Sequence, residues 1–190
     1  MVEFIIILPL LLIMISGLIE FGFMLNFYLD LIDGTRDIAR FSAMVDPLNP
    51  PADDLRDCDN STYFYRLITC LMPRALGQQI ELDLTADDVV VSSFGVSGGT
   101  VVDRYPDADG WSWSSDWLGN ATPNHTSQFT TAQVDTMLAS FASAPDTGVV
   151  MVEVFYDYHM VLALPWITVF VPNPVTLHAY SIMPNPFVEP

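Results

Sequence analysis

From Phe4 to Leu29 the chain runs for 26 residues with no lysine or arginine and with nearly every side chain apolar. Roughly 20 such residues cross ~30 Å of hydrocarbon as a helix, so this stretch is long enough to span a bilayer. Helical spacing outlasts the apolar run. Leu29, Ile32, Arg36, Ile38, Arg40, Phe41 and Met44 divide into an apolar stripe and a polar face. The spacing predicts one helix over residues 1–45, roughly 65 Å long at 1.5 Å per residue, whose second half leaves the membrane. The run DPLNPP from Asp46 to Pro51 ends it, because consecutive prolines cannot continue a helix.

Five residues do not suit an ordinary anchor: Glu3, Pro9, Gly17, Glu20 and Gly22. An ionisable group inside a membrane costs on the order of 2 to 3 kcal/mol, so it faces protein, pairs with a charge or stays protonated. Pro9 removes one helical hydrogen bond and predicts a kink. Gly17 and Gly22 leave room for another backbone. Glu20 lies sixteen residues from Arg36, roughly 24 Å at helical rise, and cannot reach it within one helix. The expected partner of Glu20 is therefore Arg36 of a neighbouring copy shifted by that distance. In the same staggered bundle Glu3 neutralises a neighbour's terminal amine at Met1. A single-pass anchor with a few tolerated irregularities is the plainer reading of the same residues.

The runs Val2-Glu3-Phe4, Leu8-Pro9-Leu10-Leu11-Leu12, Gly17-Leu18-Ile19-Glu20-Phe21-Gly22 and Arg36-Asp37-Ile38-Ala39-Arg40-Phe41-Ser42-Ala43 occur in order. In these runs the chain resembles the TadE-like family of type IV pilin-related proteins of tight-adherence pili, over about its first quarter. It departs from the family pattern in Asp37-Ile38 between the arginines, and in beginning without a basic leader. The resemblance implies an inner-membrane precursor, cut by a prepilin peptidase and drawn into a filament by a pilus assembly platform. On that view Met1 follows a removed leader, although Glu3 is third where the pilin group usually has its glutamate fifth. Met1, Glu3, Pro9, Gly17, Glu20, Gly22, Arg36 and Arg40 are the expected helix-packing and assembly residues.

About 145 residues follow, enough for one globular domain with its own core. The 23 acidic residues face 6 basic ones, all arginine, for a net charge of −17. That balance offers no basic patch for phosphates and speaks against nucleic acid as a partner. Cys58 and Cys70 read as one disulfide in a chain bound for the outside of a membrane, two buried thiols being the alternative. Asn60, Ser61 and Thr62 offer caps for a short helix from Tyr63 to Leu71 that Pro73 should end.

Residues Asp88 to Tyr105 place two β-branched runs around Ser97-Gly98-Gly99, a hairpin signal. Gly95 to Gly99 also fits G-x-S-x-G, but strand follows where a nucleophile elbow needs a helix, so catalysis is not expected. Pro106 to Thr131 reads as a long polar loop. Its Asp107, Asp109 and Asp116, with Asp103, could hold calcium, though a solvated acidic loop is the plainer reading. Trp111, Trp113 and Trp117 could form a sugar-binding face or a subunit contact; packing beneath the loop is the simpler expectation. Asn60, Asn120 and Asn124 head Asn-x-Ser/Thr triplets and are candidate glycan acceptors.

Thr130 or Thr131 caps a predicted helix through Ser143, with Val134, Met137, Leu138 and Phe141 as its apolar stripe. Gly148 opens a strand whose alternation around Glu153, Asp157 and His159 predicts one buried face. An apolar stretch from Val161 to Val171 contains Pro165, and the Pro172-Asn-Pro174 turn leads to a last strand, Val175 to Met183. His125, His159 and His178 fall in separate segments without zinc-ligand spacing, and no cofactor is expected.

These observations predict an α+β protein with two parts. A long N-terminal hydrophobic, pilin-like helix over residues 1–45 lies in the membrane or the filament core. An extracellular head over 46–190 carries an antiparallel β-sheet and short helices. The expected role is structural and not enzymatic: a homopolymeric filament subunit at the cell surface, held in the cytoplasmic membrane before assembly, with adhesion following from the assembled fibre. A minor pseudopilin of the assembly machine and a membrane-anchored binding module are the rivals.

Overall fold

Helix α1, Val2–Ser42, runs unbroken through Pro9 and carries the rest of the fold along its second half. The structure is a computed structural model and describes residues 2–47, 58, 63–119, 122–140 and 147–188. The predicted caps Asn60, Ser61 and Thr62, with Phe141 and most of DPLNPP, lie outside these residues. The helix stops three residues before the expected end, and two turns follow through Val45. The buried Asn185 side chain donates from Nδ2 to the carbonyls of Ser42 and Val45, both at 2.9 Å, satisfying acceptors that a helix end leaves open.

The face of α1 that meets the head is Glu20, Met24, Phe27, Leu31, Thr35, Ile38 and Ser42, spaced three or four residues apart. This differs from the predicted stripe. Leu29, Phe41 and Met44 are exposed instead. Arg36 and Arg40 also point outward, each near an acid three residues earlier, Asp33 and Asp37. Such exposed pairs contribute little.

Helix α2, Phe64–Ala75, packs against α1 through Phe64, Ile68 and Met72. Gly34 of α1 lets the helices approach, for a Cβ there would stand 2.7 Å from Leu76 Cδ2. Pro73 does not end α2, contrary to expectation. It sits in the last turn, where the missing amide forgoes one bond, and Leu76 N–H still closes on Met72 at 3.2 Å. Cys58 and Cys70 form the expected disulfide, with Cα atoms 5.4 Å apart. Reduction is expected to lower stability by about 2 to 3 kcal/mol through restored loop entropy. Urea denaturation with and without dithiothreitol measures it.

The sheet is antiparallel throughout, in the order β2-β1-β4-β5, with the short β3 also paired to β1. Its strands are β1 Asp88–Ser97, β2 Thr100–Tyr105, β3 Trp111–Ser112, β4 Val149–Tyr158 and β5 Val175–Pro184. The β1–β2 hairpin turns on Gly98 and Gly99, both at positive φ, as the sequence predicted. The G-x-S-x-G run therefore ends in a hairpin turn.

Strand β4 is buried on both faces, where one was expected. Val150, Val152 and Val154 join the core beneath α1 and α2. Val149 and Met151 meet Phe94 and Val96 under Val134 and Leu138 of helix α4, Thr131–Ala139. Helix α4 opens on the expected Thr130, in a capping box with Gln133, and ends short of Ser143. Glu153, on the α4 face and fully buried, accepts from Ser127 Oγ and from Gln128 N at 3.1 Å, and lies 3.1 Å from His178 Nε2.

The predicted polar loop 106–131 is a folded segment, built around an acid from another part of the chain. Asp88, fully buried, accepts from Ser112 Oγ and Ser114 Oγ at 2.7 Å, Ser114 N at 3.0 Å and His125 N at 3.1 Å. These bonds hold β3 and helix α3, Trp113–Leu118, against β1. Arg66 grips Asp116 of α3 through Nε at 2.7 Å and Nη2 at 2.8 Å. Trp113 is buried, and Trp111 and Trp117 pack on the core, as the simpler reading expected.

Candidate functional site

The first half of α1 rises clear of the head, and its described side chains up to Ile15 are exposed: Phe4, Leu10 and Met14, like Leu18 further on, are each more than 60% exposed. A helix apolar on every side belongs in lipid or among other helices. Among the described residues α1 alone is long and apolar enough to cross a membrane.

Where that bare rod meets the head stands Glu20, 5% exposed. Its Oε1 accepts from Tyr158 Oη at 2.7 Å and Val161 N at 2.9 Å, and its Oε2 from Leu162 N at 2.8 Å. One turn earlier, Ser16 Oγ accepts from Trp166 Nε1 at 3.1 Å. Two turns later, Phe27 stacks on Tyr156 and meets Tyr158 edge-on. Burial and the adjacent carboxylate push the Tyr158 phenol above its ordinary pKa, which keeps it a proton donor.

The local sequence explains why the chain closes here. Strand β4 ends at Tyr158, and the uncharged segment 160–172 turns back over α1 before β5. Pro165 starts a one-turn helix α5, Pro165–Thr168, because its fixed φ suits a first helical position. The side chain of Asn173 accepts from Met160 N at 3.1 Å and so closes the base of the loop. A cleft of about 130 Å³ beside Glu20 is lined by Gly17, Phe21, Met24 and Val171 among others.

Glu20 therefore has its partners within its own chain. With three donors from its own head the carboxylate does not depend on the expected bond to a neighbour's Arg36. Proximity along the sequence misled: Tyr158 is 138 residues away, and only the fold brings it in. Gly17 and Gly22 meet nothing within 4 Å of an added Cβ, so their bare surfaces are not used by their own head. Met1 and the side chain of Glu3 lie outside what is described. Sequence reasoning missed Tyr158, Trp166 and the amides of Val161 and Leu162. The available signal was the stripe through Leu31 and Ile38, which leads back by threes and fours to Glu20.

The other candidates disperse. Asp116 is held by Arg66, and Asp107 Oδ1 accepts from the amides of Asp109 and Gly110 in its own turn. These acids border an open cleft of about 580 Å³ with Trp111. Among the described residues no three His, Cys, Asp or Glu side chains converge as metal ligands do. Asn60 and Asn120 are outside the described residues, and Asn124 Nδ2 donates to the carbonyls of Leu84 at 2.8 Å and Asp87 at 3.0 Å.

Residues 1–40 match the family model described as TadE-like protein, a match that ends inside α1 and covers none of the head. The resemblance seen in the sequence is thus borne out over that segment, and it suggests involvement in tight-adherence pilus systems. No curated protein and no solved structure matches the chain.

Proposed function

We propose that this protein is a structural, non-enzymatic subunit of a tight-adherence pilus, which polymerises with copies of itself through the first half of α1. The observation that carries the reading is the bare apolar rod before Glu20, matched by the TadE-like model and projecting from a folded acidic head. In the membrane, lipid covers the rod; in the filament, neighbouring rods replace lipid, and the open surfaces at Gly17 and Gly22 admit close helix approach. Head-to-tail contacts of this kind do not close on themselves and give filaments. A prepilin peptidase and an assembly platform are the partners this role requires.

Electron microscopy of material sheared from the surface of producing cells, with mass spectrometry of the filament protein, tests it. This chain is expected as the dominant subunit. Recovery only in the membrane fraction, with filaments made of another protein, would overturn the reading in favour of a minor pseudopilin or an anchored module.

A further inference from the structure

The depth of Glu20 along α1 has a consequence for the loop that covers it. Glu3 and Asp30 bound the run Phe4 to Leu29, which is about 39 Å long at 1.5 Å per residue, against ~30 Å of hydrocarbon. The shallowest placement that fills the hydrocarbon with this run sets Phe4 at one boundary and the other near residue 24. Ser16 then lies about 12 Å inside the boundary on the head side, and Glu20 about 6 Å inside. Any other placement sinks them deeper. Trp166 is bonded to Ser16, and Val161 and Leu162 to Glu20, so the loop shares that depth.

The chemistry of the loop fits such surroundings. Residues 160–172 contain no charged side chain in a chain of net charge −17. Phe170 is 85% exposed, Val169 77% and Val161 55%, apolar side chains on a loop whose Trp166 is bonded to Ser16 of the exposed rod. Every amide left unpaired adds to the cost of placing irregular backbone in hydrocarbon. Eight of the eleven amides of 160–172 are bonded: Met160 N donates to Asn173, Val161 and Leu162 to Glu20, and Ile167, Thr168, Val169, Phe170 and Val171 to carbonyls within the loop, which leaves those of Ala163, Leu164 and Trp166 around the start of α5. Pro165 and Pro172 have no amide hydrogen to satisfy. Trp166, an amphipathic ring of the kind enriched at membrane boundaries, has its indole N–H bonded.

We propose that residues 160–172 form a membrane-seated loop, immersed in the head-side leaflet beside α1, with Glu20 supplying the acceptors that let its backbone enter lipid. The proposal rests on the reading that α1 spans the membrane before assembly. It assigns the intramembrane acid a positioning role, and it gives the subunit a second foothold that must leave the bilayer when the subunit is drawn into a filament.

The test uses the full chain in vesicles of phosphatidylethanolamine and phosphatidylglycerol that carry a phospholipid with a photoreactive acyl chain. After illumination, adducts are mapped by mass spectrometry. Adducts are expected on α1 before Glu20 and on 160–172, and none on β1. Adducts on α1 alone overturn the loop proposal and leave the spanning reading intact; adducts on neither overturn both. A loop free of lipid adducts but cross-linked through a photoreactive residue at position 170 to a second copy would make this surface a subunit contact and overturn the proposal. The double variant Val169→Asp, Phe170→Asp changes two exposed side chains. It is expected to lose loop adducts while α1 keeps its own, and retention of loop adducts would also overturn the proposal.

Discussion

Replacing Glu20 with alanine is expected to loosen the head from α1 by about 3 kcal/mol, the largest effect of any single change on the rod. The carboxylate receives three hydrogen bonds, and bonds to a charged acceptor contribute about 1.5 to 3 kcal/mol each before the remaining donors find other partners. Alanine strands the Tyr158 hydroxyl and two amides, each costing about 1 to 3 kcal/mol if buried, and solvent around the loop offsets part of this. Hydrogen exchange at Val161 and Leu162 should accelerate while the β1–β4 ladder stays protected. Glutamine, which can still accept at one oxygen, should fall between. Arg36→Ala should leave both amides unchanged, since Arg36 faces outward beside Asp33. Unaltered exchange at the two amides in the alanine variant would refute the clamp.

Asp88→Ala is expected to destabilise the head by about 4 kcal/mol, the scale for removing one partner from a fully buried, hydrogen-bonded charge. Two serine hydroxyls and the amides of Ser114 and His125 would lose their acceptor together. The change should lower the urea midpoint and, beyond the global loss, free β3 and α3 first, because Asp88 is what ties them to β1. Trp113, buried in α3, reports this through its fluorescence. A midpoint shift equivalent to less than about 1 kcal/mol would show that the network holds without its central acid.

These two acids mark what a linear reading can and cannot reach. A carboxylate among apolar residues announces that it has a partner, because leaving it alone in low dielectric is too costly. It does not say where. Glu20 reads as an assembly residue because no donor lies near it in sequence; its donors come from residues 158–162, set by the β4–β5 crossing over α1. Asp88 reads as the opening residue of a strand. Likewise the segment 106–131 shows turn residues and scattered tryptophans and so reads as loop, while its order comes from Asp88 and Arg66, both distant in sequence.

Patterns carried by neighbours in sequence were legible. The apolar run fixes α1, the Gly98-Gly99 pair fixes the β1–β2 turn, Thr130 with Gln133 fixes the start of α4, and the cysteine pair fixes the disulfide. Each depends on interactions spanning at most a dozen residues, or on bulk hydrophobicity, which needs no partner to be read. The sequence by itself therefore determined that this chain is a long apolar helix bearing an acidic antiparallel head, with the TadE-like segment at its start. Only the tertiary structure decided which face of that helix the head grips, that both faces of β4 are covered, and that Glu20 is satisfied within its own chain. The physical reason is that only the first half of the helix is apolar on every side, so it carries no register of its own, and hydrogen bonds from residues 138 or more positions away leave no mark on local spacing.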